Sequence, residues 1–219
     1  HERQLLAAFD GPEEELEPFS SDGVAAMQIG SEHAQWLRAL PAYLWIGGEV
    51  LLVHGTPRSD LEYNLETVVP GFGLDGASGL RAASIPELQE RFFGEAGDAL
   101  KTSKASLILC GHTHVPRACV VHGALIVNPG SVGLQAFDDD HPHLHYVENH
   151  SPHARYALLE KTPQGWQVEQ VAVPYDFEPQ AALAAARGAG AGGSRVAGGA
   201  DGGLCLALRR LAPGGELHR

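Results

Sequence analysis

The sequence of 219 residues is short of cysteine, of positive charge, of methionine and of long apolar runs. Its three cysteines, Cys110, Cys119 and Cys205, show no CxxC spacing, which excludes a disulfide framework and a zinc ribbon and suits a reducing compartment. Fifteen Lys+Arg stand against 27 Asp+Glu, a formal charge of -12. That balance opposes sequence-independent attraction to a nucleic-acid backbone or an anionic bilayer. No stretch reaches the roughly 20 apolar residues of a membrane span, and the start carries no charged-then-apolar export signal. A soluble, cytoplasmic protein without a membrane or nucleic-acid partner is expected. The only methionine is Met27 and the first residue is His1, as expected of a segment from a longer reading frame.

What is present suffices for a core: 44% of the residues are hydrophobic, enough for one domain of ordinary size. Residues 1–30 read as a helical start and an acidic, turn-rich loop. Ser31 is a candidate N-cap for "EHAQWLRAL", with Trp36, Leu37 and Leu40 on one helical face and Pro41 as its stop. "AYLWIGGEVLLVHG" predicts two strands about Gly47-Gly48, ending at His54. Residues 55–84, rich in glycine and without periodicity, predict one long loop. A helix is expected over "IPELQERFF", a doubly covered strand over "ASLILCG", and hairpins turning at His122-Gly123 and at Pro163 to Gly165. A last helix is expected from Pro179 to Arg187, closing a domain over 1–187. Residues 188–219 form a Gly/Ala-rich tail, expected to be flexible, with at most a helical turn or two in "LCLALRRLAPGGELHR".

The chemistry concentrates where apolar runs end. "LILCGHTHVP" breaks on Gly111 and at once presents His112 and His114, and "EVLLVHG" ends on His54 followed by Gly55. In open α/β sheets ligands gather outside the carboxyl ends of the strands, so imidazoles delivered there from two strands are candidate metal ligands. Gly111 is expected to supply the unusual dihedrals of the chain's exit from the sheet. A third strand, "LIVN", runs into the tight turn Asn128-Pro129-Gly130-Ser131.

In this order the three elements resemble the metallophosphoesterase, or calcineurin-like phosphoesterase, family. His54-Gly55 is similar to its isolated histidine motif, Gly111-His112-Thr113-His114 to its GHTH motif, and Asn128 to Ser131 to the turn that follows. "VHGTPRSDLEY" further resembles a bacterial branch with an HGSPR-type stretch. The resemblance implies an α/β fold of two packed mixed β-sheets flanked by helices, a four-layer α/β/β/α sandwich, here with its amino-terminal part missing. It implies a phosphohydrolase with two divalent ions, drawn from Mn, Fe, Zn, Ni or Co. His54 and His112 would ligate one ion and His114 the other. "HERQLLAAF" is similar to the remainder of a GNHE-type motif, which makes His1 the candidate general acid. The remaining ligands, mostly carboxylates, would lie upstream, and the chain by itself is expected to bind metal weakly and turn over slowly. Arg58 either grips a substrate phosphate or pairs with Asp60. The resemblance implies as substrate a phosphorylated small molecule, a nucleotide or a phosphoprotein.

Two rivals remain. Some domains of this fold are non-catalytic scaffolds. Separately, His141, His143 and His145 in "DDDHPHLHYVENHSPH" loosely resemble the histidine triad of nucleotide hydrolases, although Pro142 interrupts the strand that motif needs. A solvated His-rich loop with weak metal affinity is the alternative reading of that segment.

Overall fold

The computed structural model describes residues 2–12, 21–186 and 206–209. At its centre is a five-stranded mixed sheet in the order β1-β2-β5-β7-β6, from β1 (Tyr43–Ile46), β2 (Val50–Val53), β5 (Leu107–Leu109), β6 (Arg117–Val121) and β7 (Ala124–Asn128). The β1–β2 and β6–β7 pairs are antiparallel hairpins. The tight turns of both follow from their residues. Gly47 and Gly48 take φ of 60° and 73° in the three-residue β1–β2 loop, and His122 and Gly123 take 49° and 80° in the two-residue β6–β7 loop, the left-handed conformation that tight turns between twisted strands favour. Between the hairpins, β2, β5 and β7 run parallel and adjacent, with Leu52 beside Leu109 and Leu109 beside Val127. Their carboxyl ends therefore open on one edge of the sheet. All of β5 is buried, as its unbroken apolar run predicts.

One face of this sheet is covered by α4 (Ile85–Phe93), followed by α5 (Glu95–Leu100). A capping box between Ser84 and Glu87, with Pro86 in the first turn, starts α4. Leu88 and Phe92, four residues apart, then turn inward onto Leu51, Ile108 and Ile126. Each contributes about 1.5–3 kcal/mol of hydrophobic burial. On the other face lies a second sheet, β11-β10-β12, in which β10 (Ala154–Thr162) and β11 (Gly165–Val173) form the expected hairpin and β12 spans Leu206–Arg209. Ala157 and Leu159 pack on Leu107, Leu109 and Val127, and Trp166 Nε1 donates to Ser106 Oγ at 2.9 Å across the layers. The architecture is thus mixed α/β: helix on sheet on sheet.

Several expectations are corrected. α3 (Ser31–Arg38) has Gly30, not Ser31, at its N-cap, because the side chain of His33 reaches back to the Gly30 amide at 3.1 Å. Trp36 and Leu40 are 64% and 44% exposed, and Ala34 is the buried residue of that helix. The segment 55–84 is not one loop but contains a short hairpin, β3 (Glu66–Val68) with β4 (Leu80–Ala82). A further hairpin joins β8 (Ala136–Asp139) and β9 (His145–Glu148) within the His-rich segment. The last helix, α6 (Glu178–Ala186), forms as predicted. Near the end of the chain β12 (Leu206–Arg209) pairs parallel with β10 in place of a helical turn, since the edge of β10 offers a row of backbone partners. The rest of the expected tail, residues 188–205 and 210–219, lies outside the described residues, as does the 187/188 boundary.

Candidate metal centre

Three adjacent parallel strands deliver the three sequence elements to one edge. His54 follows the end of β2, Gly111 to His114 follow β5, and Asn128 is the last residue of β7. The Gly111 peptide ties them together: its N–H donates to the His54 carbonyl at 2.8 Å. Its own carbonyl accepts from Asn64 Nδ2 at 2.7 Å and from Asn128 Nδ2 at 2.6 Å. Asn128 also donates to the buried Thr113 hydroxyl at 2.9 Å and accepts from the Gly130 amide at 2.9 Å. Asn64 and Asn128 are both fully buried, so these bonds are costly to lose.

Positive φ falls not on Gly111 but on the histidines themselves, at 61° for His112 and 57° for His114. Non-glycine residues rarely take this conformation, and such strain clusters at functional sites. The glycine beside His54 has a different task. A Cβ at Gly55 would stand 2.5 Å from the Ser59 carbonyl oxygen and 2.6 Å from that of Glu62, so the returning chain passes where only glycine fits.

The rings of His54 and His112 lie 5.1 Å apart between centroids, tilted by 56°. His112 Nε2 is 3.1 Å from the Leu61 carbonyl, and His114 Nδ1 is 2.9 Å from the Leu134 carbonyl. A carbonyl only accepts, so each of these nitrogens carries the hydrogen, and ligation would fall to Nδ1 of His112 and Nε2 of His114. Imidazole metal ligands are usually held by such a bond from the second nitrogen. Leu134 is itself tied to the Asn128 to Ser131 turn, where Ser131 Oγ accepts from the Leu134 amide at 3.1 Å. Burial lowers the pKa of His54 and of His114, and pushes His112 from 6.5 down to about 4. A positive charge on His54 would lower the other two further. All three are accordingly neutral at pH 7, the form that binds a metal ion.

The donor set fits divalent transition metals, for which imidazole is an apt ligand. Among the described residues the only cluster of three potential ligand groups with all atoms within 4.8 Å is Asp139, Asp140 and His141, and all three are exposed. The three site histidines therefore do not make a closed mononuclear cage, and no described carboxylate joins them in one.

His1 lies outside the described residues. Arg58 lines a cavity of about 210 Å³ together with His54, Thr56, Ser59, Asp60 and Arg3. Its partner is Glu62 rather than Asp60, through Nε at 3.2 Å and through a second contact from its terminal nitrogen. Asp60 instead binds Arg3 at 2.6 Å. A four-residue spacing within the turn brings Glu62 back onto the guanidinium, which the nearer acid in sequence does not reach.

The triad-like histidines do not converge. The His141 side chain is 89% exposed and its Nδ1 lies 2.6 Å from Asp140, whereas His145 is fully buried. His145 Nε2 is 2.8 Å from the Tyr63 hydroxyl, and its Nδ1 is 2.7 Å from the His143 carbonyl. The reading of a solvated loop is thus wrong for His145. Asn64 and Glu66 give no local signal in the sequence, and Tyr63 and His145 are legible there only as parts of the HGSPR-type stretch and of the His-rich segment. Glu66 is buried, accepts from Arg117 Nε at 2.8 Å, and has its pKa raised by burial.

A second cavity, about 780 Å³, is lined by Phe72, Leu80, Arg81, Val115, Leu144 and Tyr146, among others. None of the three site histidines lines it, but Val115 directly follows His114.

Comparison with known proteins agrees with this architecture. A family profile, the calcineurin-like phosphoesterase superfamily domain, matches residues 30–150, more than half of the 219-residue chain. The structure is similar to a metallophosphoesterase from Sphaerobacter thermophilus, with TM-score 0.54 and 21% identity over 85% of this chain and 70% of that one. It is also similar to the hypothetical protein PH1004 from Pyrococcus horikoshii OT3, with TM-score 0.50 and 16% identity over 84% of this chain and 63% of that one. At these identities the likeness concerns the fold. None of the curated proteins compared with the chain matches it. No helix among the described residues is long and apolar enough to cross a membrane. Ordered motifs on adjacent strand ends, a shared fold and a matching profile lead to one conclusion: the chain belongs to the calcineurin-like phosphoesterase superfamily.

Proposed function

We propose that this chain supplies the histidine ligands of a metal-dependent phosphohydrolase that cleaves phosphomonoesters or phosphodiesters. The observation that carries the reading is the pairing of His54 and His112 at the ends of adjacent parallel strands, with His112 and His114 each anchored through one nitrogen to a backbone carbonyl. Divalent ions at this edge, two of them in the full centre and drawn from Mn, Fe, Zn, Ni or Co, would polarise phosphate oxygens and activate water. The protein's own part is to hold three neutral imidazoles rigidly, with Asn64 and Asn128 fixing the peptide from which two of them leave.

Arg58 rests on Glu62 beside His54 and would turn to an incoming phosphate, whose planar pairing with guanidinium competes with that of the carboxylate. His1 remains the proposed general acid. The cavity of about 780 Å³ has the capacity of a small-molecule site. Its walls come mostly from segment 55–84 and the β8–β9 hairpin, with Val115 and Arg117 between them, so those segments would receive the remainder of a phosphorylated small molecule, a nucleotide or a phosphoprotein loop.

Hydrolysis of p-nitrophenyl phosphate and bis-p-nitrophenyl phosphate with and without Mn²⁺ tests the reading. The expected result is slow turnover that requires the added ion and vanishes in His112→Ala. Turnover indifferent to chelators, or unchanged in His112→Ala, would contradict it. A non-catalytic scaffold would retain no divalent ion in metal analysis.

A further inference from the structure

We propose that Tyr63 and His145 form a positioning brace for His112, in which the phenol ring fixes the plane of the imidazole and the buried histidine fixes the phenol. This rests on the metal-centre reading above and goes beyond it, since that reading gives neither residue a role.

Tyr63 stands between two imidazoles. Its ring meets His112 edge-on, with centroids 5.3 Å apart and planes at 79°, and meets His145 in the same way at 5.3 Å and 80°. The Tyr63 hydroxyl is 2.8 Å from His145 Nε2. The direction of that bond follows from the other side of the ring. His145 Nδ1 faces the His143 carbonyl at 2.7 Å, and a carbonyl only accepts, so Nδ1 carries the hydrogen. In a neutral imidazole Nε2 is then an acceptor, and Tyr63 donates. The phenol is held at both ends, by this bond at the oxygen and by the backbone at the other.

His145 is itself immobilised. It is fully buried, and Gly79, at φ 73°, approaches so closely that a Cβ there would lie 2.8 Å from the Leu144 carbonyl and 3.0 Å from His145 Cβ. The Tyr146 amide donates to the Ser78 carbonyl at 2.8 Å. The β8–β9 hairpin and segment 55–84 are thereby locked to each other around Tyr63.

The support falls where orientation matters. The His112 backbone is in the left-handed region, and its Nε2 bonds to the carbonyl of Leu61, a residue outside the sheet. A metal ligand must be held to within about 10–20° of its productive orientation. The Tyr63 ring, two residues from Leu61, packs on the imidazole from a second direction. The same segment thus supplies both of these contacts to His112, and the β8–β9 hairpin secures the segment.

Co²⁺ titration of the full chain tests the brace, with affinity from calorimetry, coordination from the visible d–d absorption, and the thermal midpoint of the metal-free protein measured alongside. Tyr63→Leu, which removes the ring, is expected to weaken Co²⁺ binding about 10–100-fold, the usual scale for residues that orient a ligand, and to alter the d–d bands. Tyr63→Phe keeps the ring and loses only the tie to His145, so it should recover most of the affinity, remaining about 3–5-fold below wild type with near-native bands. A residue that serves packing alone would lower the thermal midpoint while leaving affinity and spectrum at wild-type values, and that outcome overturns the brace. If Tyr63→Leu does not fold, Tyr63→Phe decides: unchanged affinity in that variant overturns the proposal as well. Wild-type protein that binds Co²⁺ no better than His112→Ala removes the metal reading and the brace together, whereas His112-dependent binding indifferent to both Tyr63 variants removes the brace alone.

Discussion

Two segments of this chain space histidines one residue apart, and their surroundings differ in every respect that matters for metal chemistry. His112 and His114 leave the end of β5, a strand buried on both faces between two parallel neighbours, and each spends one nitrogen on a backbone carbonyl. His141, His143 and His145 sit on the β8–β9 hairpin, where His141 is open to solvent and pairs with Asp140, while His145 is sealed away on Tyr63 and the His143 carbonyl. Spacing is the same, yet only the first pair shares an edge with a third imidazole, His54. The number of histidines does not make a site; delivery from separate strands to one edge does.

The largest expected effect separates the two segments directly. His112→Ala should reduce metal-dependent phosphoester turnover at least ~100-fold, whereas His141→Ala should leave it at wild type, measured as initial rates with saturating Mn²⁺. Equal losses in both would erase the distinction. A second effect falls on stability. Asn128→Ala deletes two donated bonds and one accepted bond at a fully buried position, and should cost about 2–4 kcal/mol in urea unfolding. His141→Ala, on the exposed side, should stay within about 0.5 kcal/mol.

The comparison extends to pH. The folded pKa of His112 is about 4, below its ordinary 6.5, so between these values the unfolded chain takes up a proton that the folded chain refuses. Stability should therefore be fully present above about pH 6.5 and fall as pH drops towards 4, with a slope of up to about 1.4 kcal/mol per pH unit for one such group. Urea midpoints at pH 7.5, 6 and 5 check this, and His112→Asn should flatten the slope; a slope unchanged by that substitution would assign the pH sensitivity to other groups. The smallest effect concerns Arg58. Its exposed pairing with Glu62 contributes little to folding, so Arg58→Ala should raise KM several-fold with stability nearly unchanged. An unaltered KM would return Arg58 to a surface role.

Much of this site was legible because its signals are local. A strand ending on histidine and glycine, a GHTH break after an apolar run, and an Asn-Pro-Gly-Ser turn each fit within a few residues, and the parallel core placed all three together. Gly47-Gly48 and His122-Gly123 announced their hairpins for the same reason. What escaped depends on contacts across the chain. Asn64 reaches Gly111, Tyr63 reaches His145 and Glu66 reaches Arg117, and no window of sequence contains both members of any pair. Strands of three residues, such as β3 and β4, are too short for alternation to register. Trp36 and Leu40 obeyed helical periodicity yet stay largely exposed, because periodicity names a face without naming what covers it.

The central claim is that imidazoles from the ends of β2 and β5 form one metal-binding centre. Its most direct test is a ¹⁵N-resolved spectrum of the histidine rings during titration with Zn²⁺. The account predicts that His54, His112 and His114 shift together at the lowest metal ratios while His141, His150 and His153 stay in place. Early shifts at His141 with His54 and His112 unmoved would contradict it.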